Sequence, residues 1–259
     1  MTTITKQCEC GTTFEAPEDP EWSFLTPDSC PACTEKRFAE REREQEKIAE
    51  QNRANHLALL LQKLDEMTPD RLRTPNIDHP SFNRDLWRKV SAWEPTRERP
   101  WLGIIGETGA CKTRCAFLRL RQFLTAEIAE WGGYKDAPKF GTVVITGMDF
   151  NRYAVEQYSK AKGEPNWLGK SESEGGIASR RLRQARTADL LLFDELGKVR
   201  SSAGTIDELF ALIDHRTSRN LVTIWTSNTP PERFCTSWPE EYASPGCGRI
   251  IEASTVINA

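Results

Sequence analysis

No stretch of the 259-residue chain approaches the ~20 consecutive apolar residues that cross a bilayer. Residues 1–10 lack the apolar core of a signal peptide. Neither sign of charge dominates: 35 Lys and Arg against 38 Asp and Glu leave a formal net charge of −3. From these absences no membrane-spanning helix, no secretory precursor and no binder that works through a strongly basic overall field is expected. The expectation is a cytoplasmic protein with no membrane partner, in which any nucleic-acid contact comes from a local patch. Eight cysteines are too dilute here for a disulfide scaffold, which belongs to much shorter chains. Four of them cluster at the start and four are scattered, a pattern of one metal site plus isolated thiols. The length, with 38% hydrophobic residues, suits one sizeable domain and an appendage.

The sharpest motif is Gly106-Glu107-Thr108-Gly109-Ala110-Cys111-Lys112-Thr113, directly after the apolar run Trp101-Leu102-Gly103-Ile104-Ile105. A strand, a glycine-rich loop and a helix in this order hold phosphates on backbone N–H groups. The Lys supplies a cation to the β and γ oxygens, and the Thr hydroxyl reaches Mg²⁺. Cys111 stands where the pattern has Gly, a position at which backbone passes close to phosphate. Its side chain is small and can point away. Taken alone, the segment also reads as a glycine-rich turn that precedes a lysine.

Apolar runs alternate with helical stretches beyond residue 100. Strands are expected at 101–105, 142–146, 189–193 and 221–226, and helices at 112–131, 149–160, 176–186 and 205–216. This alternation predicts an α/β domain with a mainly parallel sheet covered on both faces, and ligands beyond the carboxyl ends of its strands. Asp194-Glu195 closes the run Leu190-Leu191-Leu192-Phe193. A carboxylate there can hold the Mg²⁺ shell, and the next can polarise a water that attacks the γ-phosphate. Asn228 ends the run that begins at Leu221. Its amide can orient water without adding charge, or it can simply open the turn before Thr229-Pro230-Pro231.

The strings GETGACKTR, DLLLFDELGK, LFALIDHRTSRNLVTIWTSN and GRIIEASTVI resemble the AAA+ ATPases, and within them the DnaC/IstB-like helicase-loader group. The resemblance spans roughly residues 68–258. It implies an AAA+ P-loop NTPase core with a five-stranded sheet and ATP bound at subunit boundaries. It implies phosphate and Mg²⁺ binding by Lys112 and Thr113, Walker-B roles for Asp194 and Glu195, and the sensor-1 role for Asn228. Arg249 in GRIIE falls where such proteins place an arginine that acts on a neighbouring subunit's ATP; by spacing alone it reads equally as a surface arginine. The chain ends ten residues after Arg249, so no helical lid and no sensor-2 arginine are expected, and activity is expected to depend on assembly with a partner.

Cys8-x-Cys10 and Cys30-x-x-Cys33 form two short pairs separated by a polar, proline-containing stretch. Two tight turns, aided by Gly11 and Pro31, can bring four thiolates around one tetrahedral Zn²⁺. Such a site is structural, because four thiolates leave no open coordination position. Phe14 and Phe24 are the expected apolar filling of this ribbon-like module. From Thr34 the chain is charged in both signs, without Gly or Pro, then presents Leu57, Leu60, Leu61 and Leu64 on one helical face until Pro69. It reads as a stalk or as a helix packed on its own domain. A further helix is expected to be capped by Ser81 and to carry Phe82, Leu86, Val90 and Trp93. The expected organisation is a zinc-ribbon-like module at 1–33, a helical connector at 34–67 and the ATPase domain at 68–259.

Arg180, Arg181, Arg183 and Arg186 crowd one segment, with Lys160, Lys162, Trp167 and Lys170 before it and Glu172 and Glu174 diluting the charge. The mixture suits single-stranded DNA, or a solvated helix face. With the resemblance, the leading expectation is an ATP-hydrolysing replication protein that loads a hexameric replicative helicase onto single-stranded DNA and assembles with its own copies. The alternatives are a transposition helper ATPase of the IstB kind, and a zinc-ribbon adaptor whose nucleotide site is a switch without useful turnover. Cys115, Cys235 and Cys247 are expected to be small buried residues.

Overall fold

In a computed structural model the chain is described at residues 2–18, 27–73, 77–133, 140–158, 174–200 and 202–259. It divides into two compact units, residues 1–56 with 129–137, and residues 57–128 with 138–259.

The first unit holds an antiparallel hairpin of β1 (Thr2–Gln7) and β2 (Thr13–Glu18), followed by the long helix α1 (Pro31–Met67), which passes into the second unit. The hairpin was not expected, because its strands are mostly polar and show no apolar alternation. Pro31 does not make a second tight turn: it is the first residue of α1, where its missing N–H costs nothing. Among the described residues of this unit, the only buried apolar side chains are Cys8, Ala16, Cys30 and Ala49. Phe14 is half-buried, and Phe24 lies outside the described residues.

The second unit is built on a five-stranded, entirely parallel sheet. Its strands are β3 (Trp101–Ile105), β4 (Thr142–Thr146), β5 (Leu190–Asp194), β6 (Val222–Ser227) and β7 (Ser254–Asn258), in the spatial order β4-β5-β6-β3-β7. This is an α/β arrangement, a parallel sheet with helices packed on both of its faces. The helices are α2 (Asp70–Arg73), α3 (Arg84–Ser91), α4 (Lys112–Glu130), α5 (Gly147–Glu156), α6 (Glu174–Thr187), α7 (Ala203–Ser218), α8 (Pro231–Phe234) and α9 (Glu240–Ala253). Helix α5 begins two residues earlier than expected because Thr146 caps it, its hydroxyl accepting the Asp149 N–H at 3.0 Å. Asn83, not Ser81, caps α3: its side chain accepts the Leu86 N–H at 2.9 Å, while the Ser81 hydroxyl bonds His79 Nδ1 at 2.7 Å.

Successive strand residues point to opposite faces, and the two halves of the core follow that alternation. Trp101, Ile105, Leu191, Phe193 and Trp225 pack on one face with α5, α6, α7 and α9. Leu102, Ile104, Leu190, Leu192 and Ile224 pack on the other with α3, α4 and the leucine stripe at the end of α1. That stripe therefore serves the second unit's own core through Leu60 and Leu64. Arg216 is buried among carbonyl dipoles, donating to Ala185 O, Ala188 O and Val222 O and to the Thr223 hydroxyl, and burial pulls its pKa down to about 9. It fastens the end of α6 to the starts of β5 and β6.

Gly103 lies in the middle of β3 because the Trp225 ring fills the place of a side chain. A Cβ there would sit 2.3 Å from the ring. Trp225 in turn donates from Nε1 to Ser254 Oγ at 2.9 Å, so it cannot swing away without breaking a buried hydrogen bond. Gly103→Ala is expected to destabilise the second unit by about 1–3 kcal/mol, measured as a fall in the midpoint of urea unfolding; an unchanged midpoint would contradict this packing.

Candidate functional site

The strand ends converge on one place. β3 ends at Ile105, and the loop that follows hangs from its neighbours: Gly106 N–H donates to Ser227 O at 3.2 Å, and Ala259 N–H to Ile105 O at 2.7 Å. Gly109 and Cys111 both take positive φ, 90° and 67°. Cys111 therefore adopts the left-handed conformation a glycine would favour there. Its thiol donates to Ser81 O at 3.2 Å and lies 3.8 Å from Gly109 O of the loop. α4 then starts at Lys112, with backbone N–H groups at its first turn, the arrangement that receives phosphate. Lys112 Nζ donates to Gly106 O and Glu107 O, each at 2.7 Å, so the ammonium is folded over its own loop. Burial lowers the Lys112 pKa, while the charges of Asp194 and Glu195 oppose the fall.

Asp194 is the last residue of β5. Its Oδ1 accepts from two hydroxyls, Thr113 at 2.8 Å and Thr226 at 2.6 Å. Burial raises its pKa. The two hydroxyls and Lys112 act the other way, and the charge of Glu195 adds to the rise. Glu195 is left-handed at φ 59°, its N–H donates to the Thr226 hydroxyl at 2.9 Å, and its Oε1 pairs with Lys198 Nζ at 2.6 Å. Asn228 Nδ2 reaches Thr108 Oγ1 at 3.4 Å. A cavity of ≈ 170 Å³ lies between Glu195, Lys198, Ser227 and Asn228. A second, ≈ 260 Å³, is lined by Phe117, Thr146, Asp149 and Asp194.

Gly106, Glu107, Thr108, Gly109, Ala110, Cys111, Lys112, Thr113, Asp194, Glu195 and Asn228 thus share the carboxyl end of the sheet. Arg249 does not join them. It sits near the end of α9, before Ser254, which pairs with Trp101 at the start of β3. The loop leaves from the opposite end of that strand, about 13 Å away along it. There Arg249 pairs with Asp214 at 2.9 Å, lies over the Phe210 ring and lines a groove of ≈ 390 Å³ with Glu98 and Glu252. Thr226 and Lys198 escaped the sequence reading. A threonine inside an apolar strand looks like an ordinary β-former, and a lysine three residues beyond Glu195 carries no motif.

The four N-terminal cysteines are also together. Their sulfurs all lie within 4.8 Å of one another, and Cys10 and Cys30 are 3.6 Å apart. Cys8 and Cys10 sit at the hairpin tip, where Cys8 N–H donates to Thr12 O and Gly11 N–H to Cys8 O. Gly11 takes φ 90°, which closes this knuckle. Cys30 and Cys33 sit at the start of α1. The Thr12 hydroxyl and backbone hold the Cys10 thiol down at about 6, and the neighbouring thiols push Cys33 up to about 12. Tetrahedral zinc with Zn–S of ~2.3 Å puts sulfurs ~3.8 Å apart, so the donor set and spacing fit zinc, and the cluster fits a zinc-ribbon-like module. None of the eight cysteines is in a disulfide; Cys115 and Cys235 are buried and Cys247 half-buried.

On α6, Arg180, Arg181 and Arg183 are exposed, whereas Arg186 pairs with Glu208 at 2.9 Å and leaves the row. Lys160, Lys162, Trp167, Lys170 and Glu172 lie outside the described residues. Among the described residues no helix is long and apolar enough to cross a membrane.

No family model matches the chain, and no curated protein matches it. Among solved structures, it is similar to DnaA from Aquifex aeolicus bound to AMPPCP, with 14% identity over 68% of this chain and 43% of that one and a TM-score of 0.44. It is similar to DnaI, with 20% identity over 68% and 81% and a TM-score of 0.42. It is also similar to the DnaC helicase loader, with 17% identity over 76% and 98% and a TM-score of 0.41. The chain spans less than half the length of the DnaA structure it matches.

The left-handed backbone at position 111 sets a test of the loop. Cys111→Gly is expected to stay within about 1 kcal/mol of the parent. Cys111→Val puts a β-branched side chain at positive φ and is expected to lose at least about 1 kcal/mol. Urea unfolding of both variants checks the difference; equal stability would contradict the observed conformation.

Proposed function

We propose that the chain is an ATPase of the helicase-loader kind, which binds ATP at the loop 106–113 and hydrolyses it. The observation that carries this is the meeting of Lys112, Thr113, Asp194, Glu195 and Asn228 at the carboxyl end of one parallel sheet, the place where such sheets bind ligands. Lys112 leaves the carbonyls of Gly106 and Glu107 for the phosphate oxygens. Thr113 and Asp194 would hold Mg²⁺, which when bound neutralises charge on the phosphates. Glu195 accepts a proton from the attacking water, and Asn228 orients that water. The ion pair with Lys198 occupies Glu195 at rest, so an incoming triphosphate competes for the Lys198 ammonium and releases the carboxylate.

Arg249 has no route to its own loop, so its role is to act on the ATP of a neighbouring copy, and the assembled form is a homo-oligomer. The exposed arginines of α6 contact single-stranded DNA. Cys8, Cys10, Cys30 and Cys33 hold a structural Zn²⁺ that supplies folding energy to a unit whose described residues bury little apolar surface. On this reading the zinc-ribbon-like module is 1–33, the helix 34–67 joins it to the rest with Leu60 and Leu64 packed in the second unit's core, and the ATPase domain is 68–259, in a soluble cytoplasmic protein. The partner is a replicative hexameric helicase. A transposase takes its place if the protein is instead a transposition helper, and capture of one or the other by the full chain decides. The paired Glu195 and the cysteine in the loop favour a second reading, an adaptor that binds nucleotide without useful turnover.

Turnover of ATP with and without single-stranded DNA separates these. Glu195→Gln is expected to lower kcat about 100-fold or more while leaving nucleotide binding intact. Absence of turnover in the parent under both conditions, with binding retained, favours the adaptor. Native mass spectrometry is expected to find about one zinc ion per chain, lost in Cys30→Ser together with the ordered first unit; a metal-free, fully folded parent would contradict the zinc assignment.

A further inference from the structure

Thr226 is wholly buried, near the end of β6 and two residues before Asn228. Its hydroxyl has one proton to give and lone pairs to receive with. The proton goes to Asp194 Oδ1 at 2.6 Å, and a lone pair accepts the N–H of Glu195 at 2.9 Å. One group on β6 therefore grips two consecutive residues at the end of β5, the side chain of the first and the backbone of the second. The second is the residue whose left-handed backbone turns its carboxylate out of the strand direction. Thr113 shares the same oxygen of Asp194 from the other side at 2.8 Å, so Thr226 is the partner that stays in place whatever Thr113 does when a nucleotide arrives.

Resting on the ATPase reading above, we infer that Thr226 is a positioning residue for hydrolysis: its hydroxyl holds the Asp194 carboxylate and the Glu195 turn in one fixed relation. It touches neither nucleotide nor metal and acts through those two residues. Because it lies on β6, and Asn228 directly follows that strand, any shift of β6 moves the carboxylates and the amide together. Valine has the shape of threonine but can neither donate nor accept. Serine keeps the hydroxyl and loses only a methyl.

The test compares the full chain with Thr226→Val and Thr226→Ser in Mg²⁺-ATP turnover with single-stranded DNA. Thr226→Val is expected to lower kcat about 10- to 100-fold with KM within about 3-fold of the parent, and Thr226→Ser to return kcat to within about 3-fold. A Val variant with parental kcat overturns the inference, as does an equal loss in Val and Ser, which assigns the residue to packing. Should Thr226→Val not fold, Thr226→Ala takes its place, and failure of both to fold while Ser folds normally makes the hydroxyl a structural bond and also overturns it. A parent without turnover that still binds ATP defeats the ATPase reading itself, a result distinct from any of these.

Discussion

One oxygen atom, Asp194 Oδ1, accepts hydrogen bonds from Thr113 at the head of α4 and from Thr226 on β6. Three separate parts of the chain meet there, and they meet only if β3, β5 and β6 are in their parallel register. The packing that secures the register is the alternation of large apolar residues on both sheet faces, with Trp225 set into the gap that Gly103 leaves. The buried carboxylate is costly to ionise, as the raised pKa of Asp194 records, and the two hydroxyls offset part of that cost. The site is thus assembled by the sheet and kept polar by a few short hydrogen bonds.

The first unit relies on different physics. Among its described residues apolar burial is slight; the neighbouring cysteines push the Cys33 thiol up, while Thr12 holds that of Cys10 down. Four sulfurs within 4.8 Å of one another form a donor set that could hold a metal ion. The helix that begins at this cluster carries almost no buried side chain until Leu64, apart from Ala49.

The parts of the fold that were legible in the sequence are those in which a run of residues behaves alike. Leu190-Leu191-Leu192-Phe193 reads as a strand buried on both faces because the run is short and uninterruptedly apolar, and the string from Gly106 to Thr113 keeps a known phosphate-loop spacing except at Cys111. The cysteine pairs were legible because thiols at such spacing have few other uses. What the sequence hid depends on contacts between distant residues. The hairpin at the N-terminus is polar and draws its order from pairing and from the cysteine cluster. The ion pair of Lys198 with Glu195 and the double hydrogen bond of Thr226 arise only once β5 and β6 lie side by side. Asn83 replaced Ser81 as a cap because Ser81 is engaged by His79, a choice made by a side chain two residues away. Arg249 could be numbered from the sequence, but only the register of β7 on β3 puts it at the far end of the sheet from the loop.

The site works only if a triphosphate is held at the loop between β3 and α4. Isothermal titration of Mg²⁺-ATP into the zinc-loaded full chain, beside Lys112→Ala, measures this directly. Saturable uptake by the parent that is lost in the variant is the predicted result. No uptake by the folded parent at millimolar ATP, or equal uptake by both, would contradict it.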